Sequence, residues 1–104
     1  MLKKAVIVDL KLNNIKSLTR ALTNVGFDCH IGLQDDFIKK SDVLFLPGVG
    51  SYSAAMKYIK KNQIDRKIFQ HIKRKKKLVG ICLGMQLLFE ESSEFKKTKG
   101  LGIF

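Results

Sequence analysis

At 104 residues the chain is too short for more than one domain of ordinary size, and a hydrophobic fraction of 45% excludes an intrinsically disordered tail. Twenty Lys and Arg against nine Asp and Glu leave a formal net charge of +11, which brings nucleic acid into consideration as a partner. Arginine, the residue that reads bases and clamps phosphates in bidentate fashion, occurs only at Arg20, Arg66 and Arg74. The lysine excess therefore reads as solvated surface, and nucleic acid is not expected as a partner.

The first element predicted is a strand at Ala5–Val8, an unbroken apolar run that Asp9 ends. The run is too short for the core of a signal peptide, and no stretch of the chain approaches the roughly 18 apolar residues of a membrane span. The expectation is a cytoplasmic protein with no membrane association. Ile15, Leu18, Leu22 and Val25 follow on one helical face, with Gly26 as a stop signal. Phe27–Leu33 is a weaker, more polar strand, suited to a sheet edge. Val43–Leu46 is a second continuous apolar strand, ended by Pro47. Ala55, Met56 and Ile59 form a short apolar stripe after Ser51 and Ser53, and Ile64, Ile68 and Ile72 recur at intervals of four. The basic run Lys73–Lys77 closes that last helix, where positive charge complements the macrodipole. Leu78–Ile81 is the next strand, Leu87, Leu88 and Phe89 belong to a helix after it, and Gly100–Phe104 is read as the start of a fifth strand.

Continuous apolar strands alternating with amphipathic helices predict an α/β fold: a doubly wound, mostly parallel sheet with helices on both faces. Ligands of such sheets bind outside the carboxyl ends of the strands. That rule singles out Asp9–Asn14, Pro47–Ser53 and Gly80–Gln86. Cys29 reads as a packing residue. His30 and His71 read as ordinary surface or half-buried histidines, and Glu90, Glu91 and Glu94 as exposed acids at a helix end. The two cysteines are expected as reduced thiols, and neither a metal nor a cofactor is expected.

The third loop, Gly80-Ile81-Cys82-Leu83-Gly84, has the spacing G-x-C-x-G, the cysteine counterpart of the G-x-S-x-G nucleophile elbow. A sharp strand-to-helix turn would hold the thiol in a strained conformation at a helix N-terminus, whose field favours a thiolate. The Leu83 N–H would be placed to donate to an oxyanion. The competing reading makes Cys82 a small buried residue between two packing glycines. Pro47-Gly48-Val49-Gly50-Ser51 also joins a buried strand to a helix, and its glycines would allow a peptide plane to turn an N–H toward a substrate carbonyl.

Together "FLPGVGSYSAAM" and "LVGICLGMQLLFEESSE" resemble the class I, or triad, glutamine amidotransferases, most of all the glutaminase subunit of imidazole glycerol phosphate synthase. "VIVDLKLNNIKSLTRAL" and "GLGIF" continue the resemblance in the same order. It covers all of residues 1–104, as the N-terminal half of that family's domain, and implies a flavodoxin-like strand order. It implies that Cys82 attacks the side-chain amide of L-glutamine. It also implies that Leu83 and the Gly48–Val49–Gly50 backbone form the oxyanion hole, and that Gln86 lines the glutamine pocket. The implied partner is a barrel-type synthase (cyclase) subunit that receives the ammonia for histidine biosynthesis. The family's catalytic His and Glu lie in a His-Pro-Glu type stretch that this sequence lacks, so the 104-residue chain is expected to be truncated and inactive alone. It is also expected to be marginally stable or prone to aggregate. The family's first loop reads D-Y-G-x-G-N, whereas here only Asp9 and Asn14 match. A paralogous subunit for surface-sugar biosynthesis, or a non-catalytic interaction module, are the alternatives.

Overall fold

The computed structural model of the chain describes residues 3–11, 15–48, 51–88, 91–92 and 98–103. Four parallel strands, β1 (Lys3–Ile7), β2 (Phe27–Ile31), β3 (Val43–Gly48) and β4 (Lys77–Cys82), form one sheet in the order β2-β1-β3-β4. The doubly wound sheet expected from the sequence is therefore present. β1 and β3 read as unbroken apolar runs because they are the inner strands, covered on both faces. β3 is buried at all six positions. β2 and β4 form the sheet's edges among the described residues, as the polar sequence of β2 anticipates.

Period-two alternation sends the two faces of the inner strands into separate cores. Ala5, Ile7, Val43 and Phe45 meet Leu18 and Leu22 of helix α1 (Lys16–Asn24), and Ile15 at its N-cap, on one face. Val8, Leu44 and Leu46 meet helices α3 (Tyr52–Lys61) and α4 (Ile64–Lys73) on the other, through Ala55, Met56, Ile59, Ile64 and Ile68. Helix α5 (Leu83–Leu87) adds Leu83 and Leu87 to this second core.

Local chemistry explains the boundaries. Ser51 caps α3, its hydroxyl accepting from the Ala54 N–H at 3.3 Å. Gly26, at φ +102°, ends α1 through its N–H to the Thr23 carbonyl. Val25, expected on the apolar face, instead occupies the C-cap and is 74% exposed, because the helix stops one residue before it. A helix absent from the sequence reading, α2 (Asp35–Lys40), opens with Asp35 and Asp36 and closes with Lys39 and Lys40, matching its dipole at both ends. It is barely a turn and a half long, and only Ile38 of it is buried.

The expected fifth strand at Gly100–Phe104 is not found in residues 100–103, and Phe104 lies outside the described residues. A short antiparallel ribbon, β5 (Glu91–Ser92) with β6 (Thr98–Lys99), precedes this segment. The Leu101 and Ile103 N–H groups then bond to the carbonyls of Leu87 and Leu88, at 2.9 and 2.8 Å. These carbonyls stand free at the C-terminal end of α5, so the segment caps a helix where a ladder was expected. Glu91, expected at a helix end, belongs to β5; Phe89, Glu90 and Glu94 lie outside the described residues.

Candidate functional site

The carboxyl ends of β3 and β4 finish level, with Gly48 opposite Cys82 in the register. Cys82 is the last residue of β4 and stands at φ +55°, in the left-handed region. Leu83 begins α5 immediately after it. A cysteine has no side-chain means of relieving that conformation, which costs on the order of 1–2 kcal/mol. The surrounding fold enforces the turn. Leu83 is only 6% exposed and anchors the first turn of α5 in the core, while the Cys82 thiol is free and exposed.

Gly84 is a packing residue: a Cβ built there would stand 1.6 Å from the Leu46 carbonyl oxygen, so α5 rests directly on the β3 backbone. Gly48 touches the same turn, and its built Cβ would lie 3.3 Å from both the Gly84 nitrogen and the Leu83 Cβ. Cys82 is not the buried small residue that the bland reading required. It projects from the point where the two glycine-containing loops meet. The periodicity of the sequence could not show that contact, since Gly48 and Gly84 are remote along the chain.

Among the other residues singled out, Val49 and Gly50 lie outside the described residues, and Gln86 falls within α5. In the first loop Asp9 accepts from the Lys11 N–H at 2.9 Å and from Lys11 Nζ at 3.0 Å. Partial burial alone would raise the Asp9 carboxyl, but these two hydrogen bonds prevail and hold it below the ordinary aspartate value. Leu12, Asn13 and Asn14 lie outside the described residues.

Neither histidine stands near the thiol. His30 is on β2, separated from β4 by two strands, or about 14 Å at ~4.8 Å per strand. It pairs with Asp28 at 3.5 Å and stacks on Phe37 at 4.4 Å between ring centroids. His71 departs from the expected surface or half-buried placement. It is fully buried, with Nε2–H donating to the Lys77 carbonyl at 2.6 Å. Lys77 starts β4 and Cys82 ends it, which sets the two about 16 Å apart along the strand. Burial keeps the His71 ring below the ordinary histidine pKa, and the nearby Lys76 and Arg74 charges act in the same direction. Cys29 packs on α1, within 3.7 Å of the Thr23 hydroxyl.

Two cavities among the described residues bear on the site, and Cys82 lines neither. One of about 280 Å³ lies at the carboxyl edge near Asp9, Lys11 and Tyr58. The larger, about 430 Å³, opens at the amino edge, where Phe27, Phe45 and Val79 meet Lys75, Lys76 and Lys77. No group of three or more His, Cys, Asp or Glu among the described residues could hold a metal. No helix among them is long and apolar enough to cross a membrane.

Comparison with known proteins supplies the family. The model of the CobB/CobQ-like glutamine amidotransferase domain matches residues 5–104. The imidazole glycerol phosphate synthase subunit HisH of Caldanaerobacter subterraneus subsp. tengcongensis is 44% identical over 98 residues, covering 94% of this chain and 48% of that protein. The subunit HisH 2 of Vibrio vulnificus is 42% identical, with 95% of this chain and 47% of that protein covered. HisH of Aquifex aeolicus is 40% identical, with 96% and 49% covered. The chain spans about half the length of these curated relatives. In fold it is similar to the 1.5 Å crystal structure of a peptidase E-like protein from Listeria monocytogenes EGD-e, at a TM-score of 0.78 and 13% identity, covering 98% of this chain and 63% of that one. A glycine-flanked cysteine on a strand-to-helix turn, a parallel α/β sheet and these matches together establish that the chain belongs to the glutamine amidotransferase family.

Proposed function

We propose that this chain carries the nucleophile half of a glutaminase that supplies ammonia to imidazole glycerol phosphate synthase in histidine biosynthesis. The observation that carries the reading is Cys82 at φ +55° between β4 and α5, with Gly48 level beside it. In the proposed reaction the Cys82 thiolate adds to the side-chain carbonyl carbon of L-glutamine, and the carbonyl π electrons move onto oxygen. The Leu83 N–H and the Gly48–Val49–Gly50 backbone are the proposed donors to that oxyanion, with Gln86 lining the glutamine pocket. Collapse expels the amide nitrogen, which takes a proton and leaves as ammonia, giving a γ-glutamyl thioester. Water then cleaves the thioester to glutamate and the free thiol. The net change is glutamine plus water to glutamate plus ammonia.

The base that activates the thiol and the acid that protonates the leaving nitrogen are proposed to come from outside this sequence. Neither His30 nor His71 reaches Cys82, so the 104-residue chain alone is proposed to turn over at least ~100-fold slower than the completed enzyme. The proposed recipient of the ammonia is a barrel-type cyclase subunit in the cytoplasm. The test joins this chain to the unmatched remainder of the Caldanaerobacter subunit, supplies that organism's cyclase subunit, and measures glutamate released from glutamine. Release that Cys82→Ala abolishes supports the proposal; no release above the Cys82→Ala background sinks it.

A further inference from the structure

The positive charge of the chain is scattered in the sequence and gathered by the fold. Helices α2 and α4 lie side by side: Lys67 of α4 donates to Asp35 at the start of α2, and Lys76, just past α4, donates to the Lys39 carbonyl at 2.7 Å. The two helices lead into β3 and β4, so both finish at the amino edge. Lys39, Lys40, Lys73, Arg74 and Lys75 all stand exposed there. Among the described residues none of these five cations forms an ion pair, whereas Lys11, Lys60 and Lys67 each hold an aspartate at 3.0 Å. Asp35 and Asp36 sit at the opposite end of α2, Asp28 pairs with His30, and exposed Asp42 accepts the Lys4 N–H at 2.8 Å. On the exposed face of α4, Phe69 is 40% exposed and lies one turn from both Arg66 and Lys73, at a Cβ spacing of about 5–6 Å. The helix dipoles account for cations in the last turns, but not for an aromatic ring left in water between two of them.

We infer that the ends of α2 and α4 form a docking surface for single-stranded nucleic acid, which stacks a base on Phe69 and lays its phosphates along Lys39, Lys40, Lys73, Arg74 and Lys75. None of this depends on the glutaminase reading. Scarce arginine argues against reading of base edges, and this mode needs none. Lysine meets a phosphate as a point charge, and every base offers a face for stacking. Lys39–Lys40 and Lys73–Lys75 are far apart along the chain and only the α2–α4 contact unites them, which is why the lysine excess read as generic solvated surface. A duplex would bring phosphates but no unstacked base for Phe69. An anionic bilayer would need more apolar side chains around the ring, and its exposed neighbours on α4 are Arg66, Gln70 and Lys73. A second copy of this chain would bring another +11 to a surface already positive.

The probe is a fluorescein-labelled oligouridylate of about 20 nucleotides. Fluorescence anisotropy follows its titration with this chain, and with the chain joined to the unmatched remainder of the Caldanaerobacter subunit. Both are expected to bind it saturably, with the logarithm of the binding constant falling against the logarithm of salt at a slope of about −3.5 for five cations. The triple variant Lys39→Gln, Lys40→Gln, Lys75→Gln should weaken binding by roughly tenfold or more and make the slope shallower by about 2. Phe69→Ala should weaken it about tenfold with the slope unchanged. Lys57→Gln, Lys60→Gln, Lys61→Gln removes the same charge from α3 and should change affinity by less than about threefold. All of these side chains are exposed, so the variants should keep the circular dichroism of the parent. No saturable binding, a flat salt response, or equal losses from the two triple variants overturns the docking surface. Binding that Phe69→Ala leaves intact, or capture by anionic phospholipid vesicles without uptake of the oligouridylate, overturns nucleic acid as the occupant. Binding that is lost in the joined form overturns the surface as well, since the completed domain would then cover it.

Discussion

The two edges of the sheet are built from the same four strands and present opposite surfaces. At the carboxyl edge the chain packs backbone on backbone: Gly84 lies on Leu46, Gly48 lies against Leu83, and an exposed thiol stands at a strained turn. At the amino edge the contacts are made by long side chains, with lysines surrounding an apolar cleft and His71 buried behind it. Close backbone packing fixes a few atoms with high precision, which is what a nucleophile needs. Long flexible cations define a field and tolerate displacement, which suits an interface. The contrast separates the proposed place for chemistry from a charged, apolar cleft.

Substitutions can break that contrast, and the largest effect is expected at Gly84. Gly84→Ala forces a methyl onto the Leu46 carbonyl and should destabilise the fold by about 3 kcal/mol, read from the urea midpoint. A shift no larger than that of an exposed Ala substitution would mean that α5 does not rest on β3. Ile68→Ala, in the core beneath the amino edge, should cost about 2–4 kcal/mol through the cavity it leaves, with no effect on the turn at Cys82.

The next effect distinguishes the strained turn directly. Cys82→Gly relieves the left-handed conformation and should raise stability by about 0.5–1 kcal/mol, whereas Cys82→Ala should not. Equal stability of the two variants would show that the turn stores no strain.

His71 gives a pH signature at the opposite edge. Its folded-state pKa is depressed below the ordinary 6.5, so the unfolded chain binds the proton more readily. Stability should be complete above about pH 6.5 and decline as pH falls from there through the folded pKa, a window well above that of the lowered Asp9 and Asp65 carboxyls. Denaturant melts across that range should lose this slope in His71→Gln. The smallest effect is expected at Asp35, whose pair with Lys67 is solvent-screened; Asp35→Asn should leave the midpoint unchanged.

The inner strands were legible in the sequence because burial on both faces writes an unbroken apolar run, as at Ala5–Val8 and Val43–Leu46. Gly26 as a stop was legible for a similar reason: one residue type does one local job. α2 was missed because a helix of six residues with one buried position has no periodicity to detect. The capping segment after Lys99 looked like a strand because an apolar extended segment reads the same whether it pairs with a strand or with free helix carbonyls. The burial of His71 was invisible because nothing local to it signals that the Lys77 carbonyl will come within reach. At the candidate site the elbow was readable from spacing. The contact between its two loops was not, since only the β3–β4 register creates it.

That register has a further consequence. Gly48 and Cys82 are paired at the end of one ladder, so everything between them, including α3 and α4, is a closed excursion that leaves and returns to the same place. Substitutions at the exposed positions of α3 and α4 change the outer surface without altering the spacing of the two loops. The geometry of the proposed site is therefore insulated from the exposed half of its own intervening sequence.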